Sequence, residues 1–258
     1  MTGSAGNAAG SAAGVGLGFP GGTAVTGLRV YDWPGPDGLP GGSAHVHLAS
    51  TEAYYVRSGS GLVQTLSSQG YAEHPLAPGD LVWFTPGTVH RLINPGSLEL
   101  LVVMANAGLP EAGDAVLTFP PEILADPDRY AAHASLARPD RVYATSEQAA
   151  KDRRDLAIEG YLVLRDQVVA DGPGALEPLY AAASRLITGR LDTWRELLAA
   201  GPVASAADST RRLAELAGAE HLAQTALVGA VVRRIDAPDQ PRLGMCGFLD
   251  TYENDRMR

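Results

Sequence analysis

Between Ala24 and Phe119 the chain is cut into short apolar segments, GLRVYDW, AHVHL, EAYYVRS, GLVQTL, YAEHPL, DLVWFT, VHRLIN and LELLVVMA, separated by breakers such as PGPDG, SGSG, SSQG, APGD and NPGS. Runs of this length, rich in β-branched and aromatic residues and closed by glycine, proline and serine, read as strands. Eight of them at this spacing predict a β-sandwich or barrel, in which closure or double layering deals with exposed edges. Strand alternation then sets His45 and His47 on one face and Val46 on the other.

Beyond the FPPE turn at 119–122 the period changes. Residues 146–165 read as a helix with Thr145 and Gln148 as a capping box, and Gly160 weakens its second half. Over 175–200, Leu176, Leu179, Tyr180, Ala183, Ile187, Leu191, Trp194 and Leu198 recur every three or four positions and make one apolar face, which Gly201-Pro202 ends. A third helix is expected over 208–218, carrying Leu213 and Leu216. The predicted organisation is a Gly/Ala/Ser tail over 1–18 with too little apolar area to order itself, a β unit over 19–120, and a largely helical region over 121–258. The apolar face of 176–198 must be buried, against the barrel as a possible lid or against another subunit.

Charge narrows the function. Acidic residues number 29 against 20 basic ones, a net charge of −9, which disfavours nucleic-acid and anionic-membrane partners and leaves a small molecule as the expected substrate. The pairs Arg153-Arg154, Arg211-Arg212 and Arg233-Arg234 do not change this, because 11 basic residues face 12 acidic ones over 146–235; they read as solvated helix surface or dimer salt bridges. The lone Cys246 and the absence of a secretory or membrane-spanning pattern make the cytosol the expected compartment.

Two stretches carry chemistry. HVHLASTE supplies His45, His47 and Glu52, and GDLVWFTPGTVHRLIN supplies His90 after a Pro86-Gly87 turn. Three neutral imidazoles and a carboxylate suit Fe(II), Mn(II), Ni(II), Cu(II) or Zn(II) better than Ca(II) or Mg(II). Four such ligands around an octahedral ion leave two positions open.

These stretches resemble the two cupin motifs. GGSAHVHLASTEAYYVRSGSG is similar to G-x5-H-x-H-x3,4-E-x6-G, with His45, His47, Glu52 and Gly59 in register and the first glycine displaced. GDLVWFTPGTVHRLIN is similar to G-x5-P-x-G-x2-H-x3-N through Gly79, Pro86, Gly87, His90 and Asn94, with one extra residue before Pro86 and a directly adjacent Pro-Gly. The resemblance spans residues 24–119. It implies a double-stranded β-helix (jelly-roll) barrel in which His45, His47, Glu52 and His90 bind one divalent transition metal ion, Fe(II) foremost.

Tyr54 shares the inward face of its strand with Glu52, so both are candidate catalytic groups, as acid, base or hydrogen-bond donor. An inward tyrosine is more often a core residue with one polar tip. Trp83, Phe84, Leu62, Leu92 and Met104 are lining or core positions, Asn94 supports a turn, and His74, His133 and His221 are surface or locally paired. The resemblance implies first a metal-dependent oxidoreductase of dioxygenase type acting on a small organic molecule. A non-redox isomerase, epimerase or lyase on the same metal, or a small-molecule-binding protein, are the alternatives. A homodimer is expected, since many cupins pair through their sheets.

Overall fold

The computed structural model describes residues 19–136, 146–217 and 230–252. The expected tail, Thr145 of the capping box and His221 lie outside them. The N-terminal half is an antiparallel β unit, as the strand pattern and the resemblance implied, and residues 146–217 are helical, as the apolar periodicity predicted.

Seven strands arise between residues 24 and 117: β1 (Ala24–Val30), β2 (His45–His47), β3 (Glu52–Ser67), β4 (Gly70–Leu76), β5 (Leu81–Phe84), β6 (Val89–Met104) and β7 (Ala115–Leu117). Two pairs of expected strands are fused: EAYYVRS with GLVQTL in β3, and VHRLIN with LELLVVMA in β6, 16 residues each. Their breakers became bulges. The β3–β6 register shifts between Val56 and Leu62, where Gly59 has φ +76° and a Cβ would stand 2.1 Å from the Ser97 carbonyl oxygen. Bulges there bend the strands and interrupt the ladder only locally, so pairing resumes at Leu62↔Ile93 and β3 and β6 stay one pair along their length.

The C-terminal segment departs from the expected helical pattern. After the helices the chain returns as β8 (Arg242–Leu243) and β9 (Gly247–Thr251), and β9 pairs with β1 in register from Thr26↔Thr251 to Val30↔Gly247. The main path of the sheet is β4-β3-β6-β1-β9-β8, with β2 on β6 and β7, and β5 on β3. Without β9, the hydrogen-bonding edge of β1 would be open.

The helices are α1 (Pro121–Leu124), α2 (Pro127–Ala134), α3 (Ser146–Asp171), α4 (Glu177–Ile187), α5 (Leu191–Leu198) and α6 (Ala204–Ala217). The expected helix over 175–200 breaks at Thr188–Arg190 into α4 and α5, yet its apolar face is buried as required: Leu176, Leu179, Ala183 and Trp194 are inaccessible to solvent or nearly so. The cover is the barrel's own outer wall, where Val46, Val89, Val116 and Leu117 form one core with α3 and α4. A second core fills the barrel interior with Leu28, Tyr54, Val63, Leu92, Leu100 and Cys246.

Two expectations about α3 are corrected. Gly160 does not weaken it; the helix runs through, and a Cβ at 160 would lie 2.1 Å from the Thr118 carbonyl oxygen, so glycine lets helix and barrel backbone touch. Arg153 and Arg154 are not solvated surface. Arg154 is fully buried and donates to the carbonyls of Trp33, Pro34 and Gly41, while Arg153 donates to Gly244 O at 2.6 Å. Leu213 and Leu216 on α6 remain exposed.

Candidate metal centre

β2 is three residues long and buried on both faces. Val46 enters the core under the helices, and His45 and His47 turn into the barrel. Cross-strand register sets His45 directly opposite His90 on β6, and Glu52 opens β3 across the interior. One ligand atom from each of His45, His47, Glu52 and His90 lies within 4.8 Å of all the others, and all four residues are buried. The structure thus brings together the four residues that the two motifs supply.

Each imidazole is held from behind. The Nδ1 of His45 faces Ser43 O at 3.2 Å, and that of His90 faces Thr88 O at 3.1 Å. A carbonyl can only accept, so both rings carry the proton on Nδ1 and turn the Nε2 lone pair inward. The Nδ1 of His47 meets Asp114 Oδ2 at 3.2 Å, and Asp114 Oδ1 accepts from the amides of Leu48 and Ala49. Asp114 is fully buried just before β7; such a carboxylate behind a histidine fixes its tautomer and raises its basicity. Sequence reasoning did not find it, because a single aspartate 67 residues from its partner leaves no local pattern.

The arrangement fits a cation. His45 Nε2 and His90 Nε2 stand 3.1 Å apart with their lone pairs opposed, and Glu52 Oε2 lies 3.1 Å from His90 Nε2 and 3.4 Å from His47 Nε2. Buried lone pairs and a carboxylate facing one another are costly unless something positive sits between them. Burial, reinforced by His90 and His47, holds His45 well below the usual histidine range, so it is neutral. Burial opposes ionisation of Glu52, but His90 and His47 outweigh it and keep the carboxylate charged. For His47, burial is outweighed by the hydrogen bonds to Asp114 and Glu52, which raise it to about 9.

Around this cluster, Phe84 lies 4.2 Å from the His90 ring between centroids, Met104 is buried, and Cys246 Sγ approaches His45 Nδ1 at 3.9 Å. Tyr54 is fully buried; its hydroxyl approaches Glu52 but satisfies no hydrogen bond among the described residues. Burial first, and then the Glu52 charge, push its pKa well above the ordinary tyrosine value. Leu92 is core, whereas Trp83 is 65% exposed on the outer face of β5 and lines nothing, which corrects its reading as a lining residue. Asn94 supports backbone: its amide nitrogen donates to Val30 O and its oxygen accepts from Leu98 N. His74 pairs locally with Thr65.

The family model of the cupin domain matches residues 35–104, and this part of the chain is a cupin domain. No curated protein sequence matches the chain. Among solved structures, a variant of Streptomyces Pac13 with uridine is 24% identical with a TM-score of 0.25, the match covering 32% of this chain and 58% of that one. A cupin protein from Bacteroides fragilis is 19% identical, over 33% of this chain and 65% of that one, with a TM-score of 0.25. Oxalate decarboxylase from Bacillus subtilis is 24% identical, over 32% and 20%, with a TM-score of 0.27. The chain thus covers less than two thirds of the length of each of these three.

Proposed function

We propose that this protein is a metal-dependent enzyme that holds one divalent transition ion, Fe(II) foremost, on His45, His47, Glu52 and His90, and oxidises a small organic substrate in a dioxygenase-type reaction. The observation that carries the reading is the convergence of three imidazole Nε2 atoms and a charged carboxylate on one buried point. A bound ion would supply Lewis acidity and, as iron, electron exchange with dioxygen. The chain's own contributions are clear. Ser43, Thr88 and Asp114 hold the imidazoles in one tautomer, Phe84 and Met104 exclude water, and the ionised Glu52 offers a base beside the neutral Tyr54 hydroxyl.

That last pair favours a second reading, a non-redox lyase or isomerase in which Glu52 and Tyr54 move a proton on a polarised substrate. Oxygen uptake by iron-loaded protein with candidate substrates separates the two. Uptake matched to product supports the dioxygenase; undiminished turnover under strict anaerobiosis overturns it. The ligand set itself is tested by elemental analysis of the natively purified protein, where His47→Ala is expected to lose stoichiometric metal. The lone buried Cys246 favours a reducing compartment, the cytosol. No helix among the described residues is long and apolar enough to cross a membrane.

The proposal extends to a second copy of the chain. Register places Leu81, Tyr55 and Leu101 in one row and Trp83, Ala53, Val103 and Val25 in the next, on the outer face of β5-β3-β6-β1. Trp83, Leu81 and Tyr55 are 65%, 60% and 45% exposed, and the opposite-charge neighbours Arg29 and Glu99 flank the patch. A two-fold axis through it would pair apolar rows and set Arg29 of one copy toward Glu99 of the other, a self-complementary arrangement.

A further inference from the structure

Each metal-binding histidine is held by a supporting group, and each supporting group, or the backbone one or two residues before it, is hydrogen-bonded to a different part of the helical half or its C-terminal extension. Behind His45, Ser43 donates from both its amide, at 3.0 Å, and its hydroxyl, at 2.7 Å, to Met245 O. The adjoining Gly244 O accepts from Arg153 of α3 and from the Tyr31 hydroxyl. Behind His90, Thr88 follows Gly87, whose carbonyl accepts the Tyr180 hydroxyl of α4 at 2.7 Å; the Gly87 amide donates to His47 O at 2.8 Å. Behind His47, Asp114 ends a loop whose Ala112 O accepts from Trp194 Nε1 of α5 at 3.1 Å and from Arg190 at 3.0 Å. The intervening Gly113 has φ +93°, and a Cβ there would strike the Arg190 guanidinium.

Three independent links ending on three ligands are more than the burial of an apolar face requires. The barrel wall already offers Leu179 and Ala183 an apolar surface; the polar links add direction, because each fixes backbone beside a group whose carbonyl or carboxylate in turn holds a ring. We propose that the helical half is the outer support of the metal centre, with Arg153, Tyr180 and Trp194 as positioning residues for His45, His90 and His47. It rests on the metal-centre reading above.

The test loads full-length wild type, Tyr180→Phe, Trp194→Phe and Arg153→Lys with Co(II) and records the visible absorption bands, the affinity by chelator competition, and the melting temperature of the metal-free forms. Because these partners stand one shell beyond those whose loss costs about 10- to 100-fold in metal affinity, each variant is expected to bind Co(II) about 3- to 10-fold more weakly, with shifted bands. Arg195→Ala, on the exposed side of α5, is expected to match wild type. Folded variants with lowered melting temperature but wild-type cobalt bands and affinity overturn the inference while leaving the metal centre standing. A wild type that binds no cobalt, zinc or iron overturns the metal-centre reading and this inference with it. Should one substitution prevent folding, the other two decide the matter, since each acts on a different histidine.

Discussion

Asp114 shows how much a single residue far from the motifs can carry. Its two oxygens are divided between the His47 ring and the amides of Leu48 and Ala49, so it fixes the ring and the backbone that follows it. Asp114→Asn keeps the shape but loses the charge, and it is expected to weaken metal binding about 10- to 100-fold, measured by chelator competition. Asp37 behaves differently, since it pairs with the buried Arg91 at 2.6 Å and has no part in the centre. Burial alone would raise its pKa, but the Arg91 guanidinium wins and holds the carboxyl below the usual value. A depressed folded-state pKa gives stability that is complete above the unfolded value near ~3.9 and is lost as pH falls through the lower folded value. The Asp37→Asn variant, already lacking the pair, is therefore expected to be less stable at neutral pH and to show a shallower loss than wild type as pH falls below the unfolded carboxylate value, read from denaturant midpoints.

Among the elements, α3 and α4 cover the barrel's outer wall. In an exposed helix, Gly160→Ala would stabilise by about 1 kcal/mol, but here the new methyl meets the Thr118 carbonyl and the sign reverses. The expected cost is about 1–3 kcal/mol, seen as a lower urea midpoint at unchanged slope. Leu179→Ala in α4 removes a buried side chain from the shared core and is expected to cost about 2–5 kcal/mol by the same measurement. The strands teach a related lesson. Gly59 and the NPGS stretch read as chain breaks in sequence, yet they are bulges inside β3 and β6, because a glycine that permits a turn also permits a bend after which the ladder resumes.

At the scale of the whole molecule, the outer face bearing Trp83, Leu81 and Tyr55 is the surface on which proposed pairing depends. Light scattering behind size-exclusion chromatography is expected to give a dimer for wild type and a monomer for Trp83→Lys, which should still bind metal because Trp83 points away from the centre. A wild-type monomer at micromolar concentration would remove the proposed dimer.

The sequence alone determined the barrel strands, the helical character of the second half and the four converging residues, because each is written in local periodicity or in two motifs of fixed spacing. It determined that the face of 176–198 had to be buried, since its apolar residues recur every three or four positions along the chain. Which surface buries it, where β9 returns and which groups stand behind the histidines were decided only by tertiary structure. Met245 reaches Ser43 across 202 positions, and Asp114 reaches His47 across 67. Contacts at such separations depend on how the whole chain closes, and no short-range pattern of residues records them.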